Sequence, residues 1–167
     1  MQLEKMQKRV EEAVLDSYEA MYRIALTYVR DQEDALDIVQ ESVYKAIRNA
    51  GQVKNEQYIP TWICRIVINT AIDFLKKNQK EILVEEFYDY QDVGKEDQYE
   101  DTDTLKALDA LNEKERAVII LRFFEDKKLE EIAIILNANI STVKSLLYRS
   151  LAKLKVEMLE GDLQYEG

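Results

Sequence analysis

Ser141, Lys144, Ser145, Tyr148, Arg149, Lys153 and Lys155 are spaced so that hydroxyl and basic side chains share the surface of one helix. Between Lys144 and Lys155 there are four basic residues and no acidic one, in a chain of net charge −10. Arginine and lysine donate to phosphate oxygens and guanine edges, and short hydroxyls reach several kinds of acceptor. The chemistry on offer is recognition of a polyanion by hydrogen bonds. Bond-making chemistry has little to stand on. The chain has no histidine, which excludes a Ser-His-Asp triad and histidine metal ligands. Its four glycines form no Walker or dinucleotide loop. No enzyme activity, cofactor or metal is expected.

The elements that must position this face come just before it. Ile140, Val143, Leu147, Leu151 and Leu154 form one apolar arc, so a helix is expected from Ile140 to about Val156. Asn137-Ala138-Asn139 supplies a tight turn, because asparagine tolerates left-handed backbone and Asn139 can cap the next helix. A short helix over Leu129 to Leu136 is expected to bury Leu129, Ile132, Ala133 and Leu136. Upstream, Asn112 and Glu115 form a capping-box pair ahead of Ala117, Val118, Leu121 and Phe124 at helical steps. The stretch reads as a helix-turn-helix with a supporting helix, a unit whose second helix suits the major groove of DNA. Periodicity alone fits a plain packing unit with a solvated basic face equally well.

The first half of the chain is also helical in pattern. Val10, Val14, Tyr18, Met21, Ala25 and Val29, widened by Ile24 and Tyr28, predict core packing over residues 1–30. Asp31 can cap a helix from Asp34 to about Asn49, with Ala35, Ile38, Val39 and Val43 inside. Asp34, Asp37, Gln40 and Glu41 share its polar side, which by itself reads as a solvated face. After a loop over Gly51 to Pro60, a helix over 61–80 should turn Trp62, Ile66, Ile72 and Leu75 inward, broadened by Ile63, Val67 and Phe74. Arg65, Asn69, Asp73, Lys76 and Lys77 point elsewhere. Cys64 reads as a small buried side chain.

The acidity is concentrated. Residues 81–110 carry net charge −9, whereas 1–80 are neutral and 111–167 carry −1. The stretch 81–104 is acidic and tyrosine-rich, which predicts a flexible linker. The expected fold is all-α, with two small helical domains (1–80 and 105–160) and a frayed tail (161–167). A lone DNA-binding domain is usually basic, with a pI above about 9. This chain has a pI near 4.7, so free DNA should bind weakly and a larger partner is needed. A single cysteine fits a reducing cytoplasm. The charged N-terminus does not read as a signal peptide, and no apolar run is long enough to span a bilayer.

Two motifs, in order and about a hundred residues apart, resemble the sigma-70 superfamily. LEEIAIIL, the turn and STVKSLLYRSLAKLK, after LNEKERAVIILR, resemble its C-terminal promoter-binding domain. DALDIVQES and TWICRIVINTAIDFLKK resemble its polymerase-binding and −10 helices. The chain is similar to the two-domain extracytoplasmic-function group, which implies a sigma factor that joins core RNA polymerase and opens promoters. The resemblance places Asp34, Asp37, Gln40 and Glu41 against the β′ clamp and implies a second contact on the β flap. It places Asn69 and Asp73, with Arg65, Lys76 and Lys77, at the −10 element, where the preceding loop captures a flipped base. Arg122 joins Ser141, Lys144, Ser145, Tyr148, Arg149 and Lys153 at the −35 element. Leu146 stands where many members have arginine, which implies one missing contact there.

Within the group, DALDIVQ, TAIDFL and LRFFEDKKLEEIA are most like the sigma-V type of low-GC Gram-positive bacteria. That likeness implies an envelope-stress regulon, a membrane-anchored anti-sigma factor and release by lysozyme, with the chain in the cytoplasm or held at the membrane's inner face. The residues by themselves leave open a helix-turn-helix regulator that never joins polymerase, and an all-α adaptor.

Overall fold

Apolar residues at three- and four-residue steps fit one long helix or two at the start. The computed structural model forms one, α1 (Gln2–Val29). The structure describes residues 2–85 and 107–166, with side chains at 3–78 and 107–155. It divides into two units, Met1–Asp92 and Val93–Gly167.

In the first unit, α1 buries Val10, Val14, Met21, Ile24, Ala25 and Tyr28. Tyr18, expected inside, is 39% exposed, and Val29 is half-buried at the helix end. Tyr18 stands at the rim of the stripe, where its phenol reaches water. Arg30 then takes left-handed backbone (φ 54°), and Asp31 caps α2 (Gln32–Arg48) by accepting the Asp34 N–H at 3.3 Å. The connection is only two residues long, so α2 must fold back along α1. Ala35, Ile38, Val39, Ser42 and Ala46 are buried on α2, while Val43 is only half-buried. Small Ser42 and Ala46 allow close approach of the neighbouring helices. The Ser42 hydroxyl is satisfied by the Ile38 carbonyl at 2.7 Å.

Two 3-10 turns, Ala50–Gln52 and Glu56–Tyr58, make up much of the loop before α3 (Ile59–Glu85). Pro60 sits in the first turn of α3, where its missing N–H breaks no bond. The core face of α3 differs from expectation. Ile63, Cys64, Val67, Ile68, Thr70 and Ala71 are buried, whereas Trp62, Ile66, Ile72, Phe74 and Leu75 are half-buried. α3 packs against both α1 and α2. A helix wedged between two others presents a wide buried arc whose centre its neighbours set. The helix also runs on through residues 81–85, which were expected to be linker. The remainder of that segment, and the expected domain start at Leu105, lie outside the described residues.

In the second unit Ala107, Leu108 and Leu111 are buried ahead of α4 (Glu113–Ile119). The Asn112–Glu115 capping box forms as expected, with both bonds at 2.9 Å. α4 then widens into a π turn over Ile120–Phe124, closed by the Glu125 N–H on the Ile120 carbonyl at 3.0 Å. The extra residue in the turn rotates Phe123 and Phe124 outward, so Phe124 is 41% exposed and not in the core. α5 (Leu129–Leu136) buries Ile132 and Ile135, with Leu129, Ala133 and Leu136 half-buried. Asn137 is left-handed (φ 54°, ψ 50°), as the turn requires, and α6 (Ile140–Glu166) follows. α6 continues through 161–166, where a frayed tail was expected. The run of glutamate, methionine and leucine before Gly161 favours helix enough to carry it past one glycine.

Candidate nucleic-acid interface

The face that α6 exposes follows from the face it buries. Val143, Leu146, Leu147 and Ser150 are buried against the rest of the unit. Ile140 and Leu151, expected in the arc, are 41% and 39% exposed. α4 and α5 both pack on α6 and together turn its buried arc by about half a residue from the sequence-based phase. Leu146 is therefore a packing residue, 7% exposed. Ser141, Lys144, Ser145, Tyr148 and Arg149 all lie on the exposed side, and Tyr148 is 69% exposed. The structure brings these five together.

Lys153 and Arg122 are placed differently. Lys153 is three residues beyond Ser150 and borders the buried stripe, with its side chain 41% exposed. Its ammonium meets Glu115 Oε1 of α4 at 2.8 Å. Glu115 has no exposed side-chain surface. Burial pushes its pKa up. The hydrogen bond from Lys153, the Asn112 N–H and the charges of Lys153 and Arg149 outweigh that and hold it below the ordinary carboxylate value. Sequence reasoning assigned Glu115 only a cap. The available signal was that Lys153 shares a stripe with Val143, Leu146 and Ser150. Arg122 is half-buried, and its Nη1 donates to the Lys127 carbonyl at 3.2 Å, bracing the loop into α5.

On α3, Asn69, Asp73, Lys76 and Lys77 are exposed and Arg65 is half-buried, all along one side of the helix. Trp62 and Ile66 lie on that side too, seven and three residues before Asn69, although the apolar pattern suggested the core. Trp62 thus keeps part of its indole exposed on the side that carries Asn69 and Asp73. On α2, Asp37, Gln40 and Glu41 are exposed and Asp34 is half-buried. Leu36 and Tyr44 flank them, 40% and 62% exposed, so this face is acidic with apolar edges. Among the described residues no cluster of potential metal ligands occurs, and no helix is long and apolar enough to cross a membrane.

This arrangement has close counterparts. Residues 14–81 match the family "Sigma-70 region 2", and residues 102–154 match "Sigma-70, region 4". The chain is 46% identical over 151 residues to the RNA polymerase sigma factor SigV of Bacillus subtilis, covering 90% of this chain and 91% of that one. The chain belongs to the extracytoplasmic-function sigma factors of the sigma-70 family. It is also 31% identical over 156 residues to the ECF RNA polymerase sigma-E factor of Haemophilus influenzae, covering 83% of this chain and 79% of that one. Two solved sigma factors share the fold. RpoE of Bartonella quintana, solved with the anti-sigma factor NepR, has a TM-score of 0.71 at 23% identity, covering 89% of this chain and 95% of that one. CnrH, solved with the cytosolic domain of CnrY, has a TM-score of 0.66 at 17% identity, covering 93% and 97%.

As an alternative sigma factor, the chain joins core RNA polymerase and directs it to promoters. A regulator acting without polymerase would not need region 2, so the match over 14–81 sets that reading aside.

Proposed function

We propose that three faces of this sigma factor divide the work of initiation. The α2 face of Asp34, Asp37, Gln40 and Glu41 docks on the β′ clamp, with its carboxylates steering association. The α3 side carrying Arg65, Asn69, Asp73, Lys76 and Lys77 holds the −10 element while the preceding loop takes an extruded base. The exposed side of α6, through Ser141, Lys144, Ser145, Tyr148 and Arg149, reads the −35 element. The observation that carries this reading is the α6 surface, where basic and hydroxyl side chains stand together opposite a buried apolar stripe. Bond formation belongs to core polymerase, and the β flap supplies a second docking point.

The net charge of −10 supports a dependence on core enzyme, because the free chain repels DNA overall. Control by a membrane-anchored anti-sigma factor, with the chain in the cytoplasm, completes the proposal. The sigma-V resemblance supports it, as does the structure of CnrH, which was solved with the cytosolic domain of another chain, CnrY. Induction by lysozyme as an envelope stress rests on that resemblance alone.

Footprinting with and without core polymerase tests the scheme. Protection of −35 and −10 is expected only with core enzyme. Protection by the free chain alone would overturn the division of labour. Run-off transcription over a promoter library would then give the sequence preference at each element.

A further inference from the structure

We infer that Glu115 is a positioning residue for the −35 reading face, fixing the rotation of α6 on α4 and holding Lys153 away from the DNA phosphates. The inference rests on α6 being the −35 helix. Glu115 Oε1 accepts the Asn112 N–H at 2.9 Å and the Lys153 ammonium at 2.8 Å, with the carboxylate fully buried. Ser150 is also fully buried. Its Oγ donates to the Leu146 carbonyl at 2.6 Å and lies 3.4 Å from the Glu115 carbonyl. Lys153 is thus bonded to Glu115 of α4, and Ser150, three residues earlier on the same side of α6, packs against the backbone of that same residue. A bond and a close contact on one side of a helix together set its rotation as well as its height.

The charge on Glu115 is not explained by capping. A cap needs only an acceptor, which glutamine or an exposed glutamate supplies without the cost of burying an ion. The second oxygen, Oε2, is buried and accepts no hydrogen bond among the described residues. The charge is instead matched to Lys153. An ammonium 2.8 Å from a buried carboxylate is already paired, even with its stem part-exposed, so it must leave that partner before it can displace a counterion from DNA. Arg149 lies one turn before Lys153, on the flank of the reading face, and also feels this carboxylate. Glu115 therefore selects which cations of α6 face the phosphates. Lys144, Arg149 and Lys155 remain available and Lys153 does not.

The test uses holoenzyme assembled from the full chain and core polymerase. Promoter binding is measured against salt on templates with an intact or a scrambled −35 element. Each neutralised phosphate contributes about 0.9 to the slope of log binding constant against log salt. Lys153→Met is expected to leave the −35-dependent slope unchanged. Glu115→Gln is expected to steepen it by about one unit, as Lys153 swings free to a phosphate, and to flatten base preference at −35. Glu115→Gln/Lys153→Met removes both charges and should restore the wild-type slope. It also keeps the test alive if either single variant fails to fold. A slope lowered by about one unit in Lys153→Met or in the double variant would overturn the inference. So would a Glu115→Gln protein that melts earlier but keeps its slope and base preference, since the carboxylate is then structural only. Arg149→Ala is the separate control. Unchanged −35 base preference in that variant and also in Ser145→Ala/Arg149→Ala removes α6 as the reading helix, whatever Glu115 does.

Discussion

The ammonium of Lys45 donates to the buried hydroxyl of Thr70 at 3.1 Å and stands 3.6 Å from Glu41 Oε1. One side chain thus ties the acidic face of α2 to α3, on the helix that carries Asn69. Lys45→Met should lower the stability of the first unit by about 1 kcal/mol, since the bonds are charged but partly exposed. Denaturant unfolding followed by Trp62, the single tryptophan of the chain, reports on that unit. An unchanged midpoint would show that the link carries no net energy.

Asp37 is exposed in the middle of the α2 face, between Asp34 and Gln40. Asp37→Lys should weaken core-polymerase binding strongly, because like charges then meet at the docking site. Helicity should stay the same, since the side chain is exposed on the helix surface. Pull-down of β′ at wild-type levels would remove α2 from the docking surface.

Asn69 is exposed on α3 in line with Trp62 and Asp73. Asn69→Ala should reduce open complex on duplex promoters. Pre-melting the −10 region should restore part of the loss, because unstacking costs a few kcal/mol only on the duplex. Equal loss on both templates would show that Asn69 does not support melting.

Glu115 makes the second unit acid-sensitive. Its folded pKa lies below the ordinary value, through Lys153, the Asn112 N–H and Arg149 acting against burial. A depressed carboxylate stabilises fully above its unfolded pKa, about 4.3, and that contribution is lost as pH falls through the lower folded value. Urea unfolding followed at α4 backbone amides should therefore show falling stability below about pH 4. Glu115→Gln should be less stable at neutral pH and should lack this share of the acid dependence. Parallel pH profiles for the two proteins would count against the pairing.

The features legible in the sequence are those decided within a few residues. Asp31 and Asn112 sit where helices begin, and both cap through their own side chains. Asn137 marks a left-handed turn, and its backbone is left-handed. The two sigma motifs could be read because each is a contiguous string on one helix or one helix pair.

Phase and partnership could not be read this way. A 3.6-residue period tells that a helix is two-faced, but the boundary between faces depends on what packs against it. On α6 that choice turned on Leu146 against Leu151, and α4 and α5 made it in favour of Leu146. On α3, two neighbouring helices widened the buried arc and left Trp62 half-buried on the side that carries Asn69. The π turn that pushes Phe124 outward depends on where the backbone bonds close. Local pattern is enough to give an all-α chain, the caps at Asp31 and Asn112, and the family. The pairing of Lys153 with Glu115, thirty-eight residues away, arises only in the folded chain, because a long side chain's partner is set by distance in space.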